Sequence, residues 1–222
     1  MQALWLIAGL GNPGLTYKGT RHNIGFLVVE ELASRGGMTL RGRKREARYA
    51  WGRLNREEVI LIKPLTFMNR SGLSVAAWLG ALQLEPSHLI VIHDDLDLSP
   101  FHIRIRRDGG DGGHRGVSSI SRELGSRDFL RIRVGIGRPP EGCPSSDYVL
   151  QPFSCGEKES LSGAVKRAAD AAMAVMEEGL EAAMNRFNVR GQRRKSGGTG
   201  HGMAAASAEE RSEQPGREVR DI

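Results

Sequence analysis

The stretch Leu6-Ile7-Ala8-Gly9-Leu10-Gly11-Asn12-Pro13-Gly14 decides the fold of this chain. The apolar residues from position 3 to position 10 predict a buried β-strand, because the run is continuous and ends at turn-forming residues. Beyond the glycine loop follows Thr20-Arg21-His22-Asn23. Open α/β sheets place their sites where buried strands end and deliver polar groups. We therefore expect a functional site close to this loop.

The rest of the chain alternates strands with helices. Hydrophobic periodicity predicts strands at residues 49–54, 59–65, 89–92, 101–106 and 129–136, and helices at residues 24–34, 71–82, 117–124, 157–178 and 180–187. Strands that are apolar throughout need helices on both faces of their sheet, which indicates an α/β fold. We expect one domain over residues 1–189. Beyond Arg190 the composition shifts to Gly, Ser, Ala and mixed charge, so residues 190–222 are predicted to be a disordered tail.

The composition favours an anionic partner. The 222 residues carry a formal net charge of +6, with a pI near 9.7. Such a surplus suits nucleic acid, anionic lipid or an acidic substrate, although a solvated basic surface would look the same. Cys143 and Cys155 have no Cys or His at metal-binding spacing, which indicates a reduced intracellular protein without disulfides. No signal peptide or membrane-spanning segment is expected.

Basic residues concentrate in three segments. The run from Arg41 to Arg48 is expected to be an exposed connection, and it is a candidate phosphate contact. In the strand 101–106, apolar residues alternate with His102, Arg104 and Arg106, and Arg131 and Arg133 share one side of the strand 129–136. This alternation predicts a cationic face on the sheet.

Several common sites do not fit the sequence. Gly9-Leu10-Gly11-Asn12-Pro13-Gly14 matches the dinucleotide pattern G-x-G-x-x-G. Dinucleotide binding requires a helix that begins inside the motif, whereas the next predicted helix begins near Ile24. The residues around Lys18 also miss a phosphate-binding P-loop, and there is no G-x-S-x-G nucleophile motif.

His22 is the strongest candidate for a chemical role. A loop histidine commonly serves only local backbone groups, but the end of another predicted strand supplies Asp94, which could orient the ring and stabilise its protonated form. Asn12 and Asn69 are uncharged groups that donate and accept hydrogen bonds. A base, an orienting carboxylate and amides without a nucleophilic side chain indicate hydrolysis by an activated water.

A metal site at His93-Asp94-Asp95-Leu96-Asp97 is the alternative for this region. Adjacent acidic residues on a strand point to opposite faces, so few of them can converge on one ion. We therefore expect no metal. His114, in its glycine-rich loop, could equally be a loop residue without a special task.

Six motifs in order resemble those of bacterial peptidyl-tRNA hydrolases over about residues 3–188. The six motifs are Gly-Leu-Gly-Asn12-Pro-Gly, Thr-Arg-His22-Asn23-Ile-Gly, Pro64-Leu-Thr-Phe67-Met-Asn69-Arg-Ser-Gly, His93-Asp94-Asp-Leu-Asp-Leu, Gly-Gly-His114-Arg-Gly and Arg131-Ile-Arg133-Val-Gly-Ile-Gly. Tyr17 lies between the first two of them. The resemblance implies a single three-layer α/β/α domain with a twisted mixed sheet. It also implies a cytoplasmic monomer, without metal or other cofactor, that cleaves the ester joining a peptide to the 3′ ribose of tRNA.

The resemblance also implies roles for particular residues. His22 matches the general base and Asp94 the residue that orients it. Asn12 matches a residue that distinguishes blocked from free aminoacyl groups. The implied contacts to the peptide and to the tRNA involve Asn69, Tyr17, Phe67 and His114, and Arg106 and Arg133 match a cationic clamp for the tRNA 5′-phosphate.

One position departs from the family pattern. The family usually has Asn after the loop histidine, where this chain has Arg115. Asn donates and accepts hydrogen bonds, whereas Arg only donates and keeps its charge. We expect that Arg115 shifts substrate binding toward contacts with peptide carbonyl or tRNA phosphate groups and that hydrolysis is retained. Relatives with this fold can also be RNA-binding modules without hydrolytic activity, and the presence of His22, Asp94, Asn12 and Asn69 argues against that alternative.

Overall fold

One seven-stranded sheet organises residues 3–188, the part of the chain that the computed structural model describes. The strands are β1 Leu4–Gly9, β2 Gly42–Lys44, β3 Ala47–Leu54, β4 Glu57–Pro64, β5 Leu89–Asp95, β6 Ile103–Arg107 and β7 Leu130–Gly135. The helices are α1 Ile24–Arg35, α2 Ser71–Leu82, α3 Arg115–Leu124, the single turn α4 Ser145–Tyr148, α5 Lys158–Glu177 and α6 Leu180–Phe187.

The strand order is β2-β3-β4-β1-β5-β7-β6. The four central strands β4, β1, β5 and β7 run parallel, and antiparallel strands flank them on both sides. Strand β1 lies between β4 and β5, so the chain leaves β1 toward one side and later returns on the other. Parallel sheets open a crevice for ligands at such a point, outside the carboxyl ends of the strands.

Two apolar layers cover the two faces of the sheet. On one face Ile7, Leu61 and Ile92 pack against α1, α5 and α6. On the other face Leu6 and Ile62 belong to the layer that contains residues of α2 and α3. Neighbouring residues of one strand thus enter opposite layers, as the pleat requires. The predicted α/β fold, with a mixed sheet between helices, is confirmed.

Most predicted elements agree with the structure, and the basic run from Arg41 to Arg48 is the main correction. The run is exposed as expected at Arg41, Arg43, Lys44, Glu46 and Arg48, but it is not only a connection, because Gly42–Lys44 pairs with the start of β3 as an antiparallel hairpin. Ala47, inside the run, is fully buried in the layer with α2. A charged edge strand gives no alternating pattern over three residues, so periodicity could not reveal it. The predicted tail, residues 190–222, lies outside the described residues.

The glycines of the first loop serve packing of α1 against β1. A Cβ atom on Gly9 would clash with the carbonyl oxygen of Gly25, and a Cβ on Gly25 would clash with the backbone of Leu10 and Ile92. No α-helix begins within the glycine motif, since two short 3-10 turns, Leu15–Tyr17 and Arg21–Asn23, follow Gly14 before α1 begins at Ile24. Among the described helices, none is both long and apolar enough to cross a membrane.

Candidate active site

A cleft of about 460 Å³ opens at the carboxyl ends of the central strands. It is bounded by the loop after β1, the segment after β4, the end of β5, the glycine loop before α3 and the turn α4. The lining includes Asn12, His22, Phe67, Met68, Asn69, Asp94, Asp95, Leu96, Asp111, Gly112, Gly113, His114, Arg115, Ser145, Ser146, Val149 and Leu150. The cleft thus brings together seven of the ten residues that the sequence singled out, all except Tyr17, Arg106 and Arg133.

The loop after β1 is held in shape by the side chain of Asn23. Its Oδ1 accepts from the Asn12 backbone N–H at 2.8 Å, and its Nδ2 donates to the Asn12 carbonyl at 3.0 Å. The Oδ1 of Asn12 in turn accepts from the Met68 N–H at 2.8 Å, which fixes the orientation of the Asn12 amide. The NH₂ group of Asn12 makes no hydrogen bond within residues 3–188. It is therefore a donor available to a ligand in the cleft.

His22 and Asp94 form a buried pair at the floor of the cleft. Nδ1 of His22 lies 2.9 Å from both carboxylate oxygens of Asp94. The Asp94 residue is 2 % exposed and His22 is 9 % exposed. Because a carboxylate only accepts, the proton is on Nδ1 when the ring is neutral, and Nε2 carries a lone pair. Nε2 is the atom of this ring that can take a proton from a bound molecule.

His114 is the second histidine on the Asp94 carboxylate. Its Nε2 lies 3.0 Å from Asp94 Oδ1. Its Nδ1 accepts from the backbone N–H groups of Gly116 and Val117, each at 3.2 Å, and so caps the N-terminus of α3. An atom that accepts two N–H groups carries no proton, so the proton must be on Nε2, which donates to Asp94. The residues alone left the role of His114 open and the family resemblance implied a substrate contact; this geometry shows a helix cap that also orients the carboxylate.

These hydrogen bonds decide how Asp94 titrates and what it can bind. Burial alone would raise the pKa of the Asp94 carboxyl, but the adjacent rings of His22 and His114 hold that pKa well below its usual range. The carboxylate is therefore ionised at neutral pH. His22, Asp94 and His114 are also close enough together to hold a metal ion. Their hydrogen bonds disfavour this use, because the protonated Nε2 of His114 has no lone pair to offer.

His93 lies behind this group and packs against it. Its ring centroid is 4.7 Å from that of His114. Nδ1 lies 2.7 Å from the carbonyl oxygen of Asp94, and the buried Nε2 has no hydrogen-bond partner in the described structure. Burial lowers the pKa of His93 to about 3. The ring is thus neutral, and it does not reach into the cleft as the alternative metal site would require.

Phe67 and Asn69 line another part of the cleft, on the short segment that follows β4. Phe67 is 57 % exposed, a large value for an aromatic side chain. The Tyr17 ring meets it edge-on, with centroids 6.4 Å apart. Asn69 is exposed at the cleft. An aromatic pair of which Phe67 is exposed and Tyr17 half-buried, beside an amide, provides an apolar surface and hydrogen bonds, which suits a peptide of variable sequence.

The predicted cationic face is only partly exposed. Arg106 and Arg131 lie opposite each other in the β6–β7 ladder, and Arg104 lies opposite Arg133, so the four side chains share one face. Arg104 and Arg106 are exposed, but Arg131 is buried. Nε of Arg133 binds the carboxylate of Asp95 at the edge of the cleft. The four arginines thus share a face as the alternation predicted, but only Arg104 and Arg106 are fully exposed on it.

The comparisons with known proteins agree with these motifs. A sequence model of the family described as peptidyl-tRNA hydrolase matches residues 6–196. The chain belongs to the peptidyl-tRNA hydrolase family. Peptidyl-tRNA hydrolase from Frankia casuarinae is 48% identical over 184 residues, which cover 83% of this chain and 93% of the relative. Peptidyl-tRNA hydrolase from Syntrophomonas wolfei is 48% identical over 183 residues, covering 82% and 99%.

Solved structures show the same fold. The crystal structure of peptidyl-tRNA hydrolase from Acinetobacter baumannii superimposes with a TM-score of 0.79 at 37% sequence identity. The match covers 84% of this chain and 95% of that one. The family resemblance drawn from the six motifs is confirmed, and the catalytic and binding roles that it implies are taken up below.

The structure adds site residues of this peptidyl-tRNA hydrolase family member that sequence reasoning missed. The segment around α4 crosses the edge of the cleft, and the His22 N–H donates to the Val149 carbonyl at 2.8 Å. The Arg21 guanidinium holds the same segment, since it donates to the Pro152 carbonyl at 2.6 Å and to Glu157 at 3.0 Å. The segment has no helical or alternating pattern. Its only signal in the sequence was Arg21 itself, a charged residue directly beside the candidate base.

Proposed function

We propose that this chain hydrolyses the ester that joins a peptide to the 3′ ribose of tRNA and thereby recycles tRNA from stalled translation. The observation that carries the proposal is the His22–Asp94 pair, whose free Nε2 belongs to a cleft lined by amide donors. The membership of the chain in the peptidyl-tRNA hydrolase family supports it. An ester suits a single histidine base because its alcohol leaves more readily than an amine.

In the proposed reaction, Nε2 of His22 accepts a proton from a water molecule as the water oxygen bonds to the ester carbonyl carbon. The ionised Asp94 stabilises the imidazolium that forms. When the tetrahedral intermediate collapses, the carbon–oxygen bond to the ribose breaks and Nε2 returns the proton to the ribose oxygen. The products are a free peptide carboxyl and a tRNA with its 3′ hydroxyl, so atoms and charge balance.

The blocked aminoacyl group is recognised by the amides of Asn12 and Asn69 and by the aromatic pair Phe67–Tyr17. The Asn12 NH₂ is fixed in direction by the Met68 contact, so it offers a preset donor to a substrate carbonyl. Asn69 adds an amide that can hold peptide backbone, and the Phe67–Tyr17 pair contacts side chains without selecting among them. His114 acts indirectly, by holding Asp94 in place.

The tRNA is recognised by three cations, Arg106, Arg133 and Arg115. Arg106 is exposed and makes no ion pair with another described residue, so it is the stronger of the two proposed contacts to the 5′-phosphate. For Arg133, a phosphate must compete with the Asp95 carboxylate for the same guanidinium. Arg115 is exposed, lines the cleft and has no carboxylate partner within residues 3–188. It can donate to a phosphate at the 3′ end or to a peptide carbonyl.

We further propose that the chain acts as a cytoplasmic monomer and needs no metal or other cofactor. The acceptor stem, the 3′ end and the nascent peptide are its proposed contacts. A non-catalytic RNA-binding module of the same fold is not favoured, because such a module has no use for a buried carboxylate that orients a histidine with a free Nε2.

One assay tests this proposal. Release of N-acetyl-aminoacyl groups from tRNA is measured for the full chain, with and without EDTA, beside His22→Asn and the matched control His88→Asn. His88 is a partly buried histidine that packs on Trp5, away from the cleft. We expect activity that survives EDTA, falls by about 10²- to 10⁴-fold in His22→Asn and is unchanged in the control. An inactive wild type would overturn the function, and loss of activity with EDTA would overturn the metal-free mechanism.

A further inference from the structure

Arg131 is a buried cation without a carboxylate partner in the described part of the chain. The residue is 3 % exposed. Its guanidinium lies over the ring of the fully buried Phe129, 4.6 Å from the centroid. Nη1 donates to the carbonyl of Gly110 at 2.8 Å and Nη2 to the carbonyl of Gly109 at 3.0 Å. Nε has no partner.

Such a group is costly to keep in a protein interior. A guanidinium cannot discard its charge at physiological pH, and burial without a paired carboxylate costs free energy that an apolar side chain of similar size would not. Hydrophobic filling therefore does not explain Arg131. The two carbonyls it binds are its only polar partners, and they belong to consecutive residues of one loop.

The loop that Arg131 binds links β6 to α3 and forms part of the cleft. It comprises residues 108–113, and four of these six residues have positive φ: Asp108, Gly109, Gly112 and Gly113. Its second half is held internally, since Asp111 accepts from the N–H groups of Gly113 at 2.9 Å and His114 at 3.0 Å. In its first half, the fork of Arg131 holds the carbonyls of Gly109 and Gly110, and the Asp108 N–H donates to the Phe129 carbonyl at 3.4 Å. Asp111, Gly112 and Gly113 line the cleft.

We propose that Arg131 is a positioning residue that fixes this glycine loop, residues 108–113, as one wall of the substrate cleft. The inference rests on the proposed function for its effect on substrate, but the contact itself concerns only the chain. A planar fork that donates to two successive carbonyls sets both the position and the direction of the loop. His114 is anchored separately by α3 and Asp94, so loss of Arg131 displaces the wall and leaves the catalytic pair in place.

The test compares Arg131→Met with Arg104→Met in the full chain. Arg104 lies on the same face of the same ladder and is exposed, so its replacement removes the same charge without touching the loop. Hydrogen exchange of the amides of Asp108 and Gly109, which donate hydrogen bonds in the half of the loop that Arg131 holds, is measured first, because it does not depend on activity. We expect exchange at least about tenfold faster in Arg131→Met and unchanged exchange in Arg104→Met.

Steady-state kinetics on N-acetyl-aminoacyl-tRNA complete the test. We expect Arg131→Met to raise KM about tenfold with kcat within about twofold of wild type, and Arg104→Met to raise KM less, through charge alone. Arg131→Lys keeps the charge but can reach only one carbonyl, so it should show intermediate exchange and KM, and it serves as the test variant if Arg131→Met does not fold. Exchange equal to wild type, or equal KM values for the two Met variants, would overturn the proposal. An inactive wild type would reject the function but leave the exchange result decisive for the loop.

Discussion

The carboxylate of Asp94 accepts hydrogen bonds from two histidines at once, from Nδ1 of His22 at 2.9 Å and from Nε2 of His114 at 3.0 Å. The second bond fixes the direction of the carboxylate and the first fixes the tautomer of the base. His114 caps the first turn of α3, so this helix helps to orient His22. Helix α3 lies on one face of the sheet, whereas α1, which follows His22, lies on the other face.

Replacement of the carboxylate by an amide should abolish most of the activity. In Asp94→Asn, the side-chain NH₂ can donate to Nδ1 of His22, which moves the ring proton to Nε2 and leaves no base at the cleft. We expect kcat to fall by about 10³- to 10⁴-fold with KM within a few-fold of wild type. Steady-state kinetics with Asp97→Asn, an exposed acid, as control provide the measurement. A loss of less than tenfold would show that the tautomer does not matter.

The two bonds of His114 can be separated by substitution. His114→Asn retains an acceptor that can cap α3, but its shorter side chain does not reach Asp94, whereas His114→Ala loses both contacts. We expect Asn to recover about 1 kcal/mol of unfolding free energy relative to Ala. Both variants should lose a similar factor in kcat. Chemical denaturation and kinetics on the same samples measure the two effects. Equal stability of the two variants would contradict the capping role.

His93 should make the protein less stable on mild acidification. Its ordinary pKa of 6.5 is lowered in the folded state to about 3, so between these values the unfolded chain binds a proton that the folded chain does not. The free energy of unfolding therefore falls as pH falls through this window, by about 2 kcal/mol at pH 5. Denaturation of wild type and His93→Asn at pH 7, 6 and 5 measures the difference. Parallel curves would show that His93 is not kept neutral.

Asp95 should weaken tRNA binding through its ion pair with Arg133. In Asp95→Asn, Arg133 is released and a negative charge leaves the edge of the cleft, so we expect KM for N-acetyl-aminoacyl-tRNA to fall by about three- to tenfold at low salt. The advantage should shrink as salt increases, because phosphate contacts release counterions. Asp97→Asn again serves as the control, since Asp97 pairs with the exposed Arg138. An unchanged KM would remove Arg133 from the proposed clamp.

Arg115 should affect substrate binding more than the chemical step. Arg115→Asn removes a charge from the cleft and supplies an acceptor, and we expect a rise in KM of about three- to tenfold at low salt with kcat nearly unchanged. Arg122→Asn changes the same residue type on the same helix, outside the cleft and beside Glu123. If both variants have the wild-type KM for a short N-blocked aminoacyl-tRNA, the expectation that Arg115 binds a carbonyl or phosphate group of the substrate is wrong.

Much of the fold was predictable because the periodicity of this chain is strong. The helix predicted at residues 71–82 has the bounds of Ser71–Leu82, and the apolar run at residues 89–92 lies within β5. The convergence of His22 with Asp94 was also predictable in outline, since Asp94 lies at the carboxyl end of one buried parallel strand and His22 follows another, so both meet at one edge of the sheet.

The remaining features depend on contacts that leave no pattern in the sequence. The alternation around Arg131 correctly put it on one face with Arg106, but it could not show that a glycine loop covers one of the two. The ion pair between Arg133 and Asp95 could not be predicted without the register of β5 against β7. This register places His93 opposite Arg133 and Asp95 close by. The tautomer of His114 depends on a helix cap, and its residue type does not reveal it.

The contact of Gly9 with Gly25 limits where this enzyme family member can be redesigned. Two backbones touch there, so a side chain added at either position would separate helix from strand. The segments from Phe67 to Asn69 and from Asp111 to Arg115 instead expose side chains at the cleft, at Phe67, Asn69 and Arg115. Altered preference for peptide or tRNA is therefore to be sought in libraries built on these two segments alone.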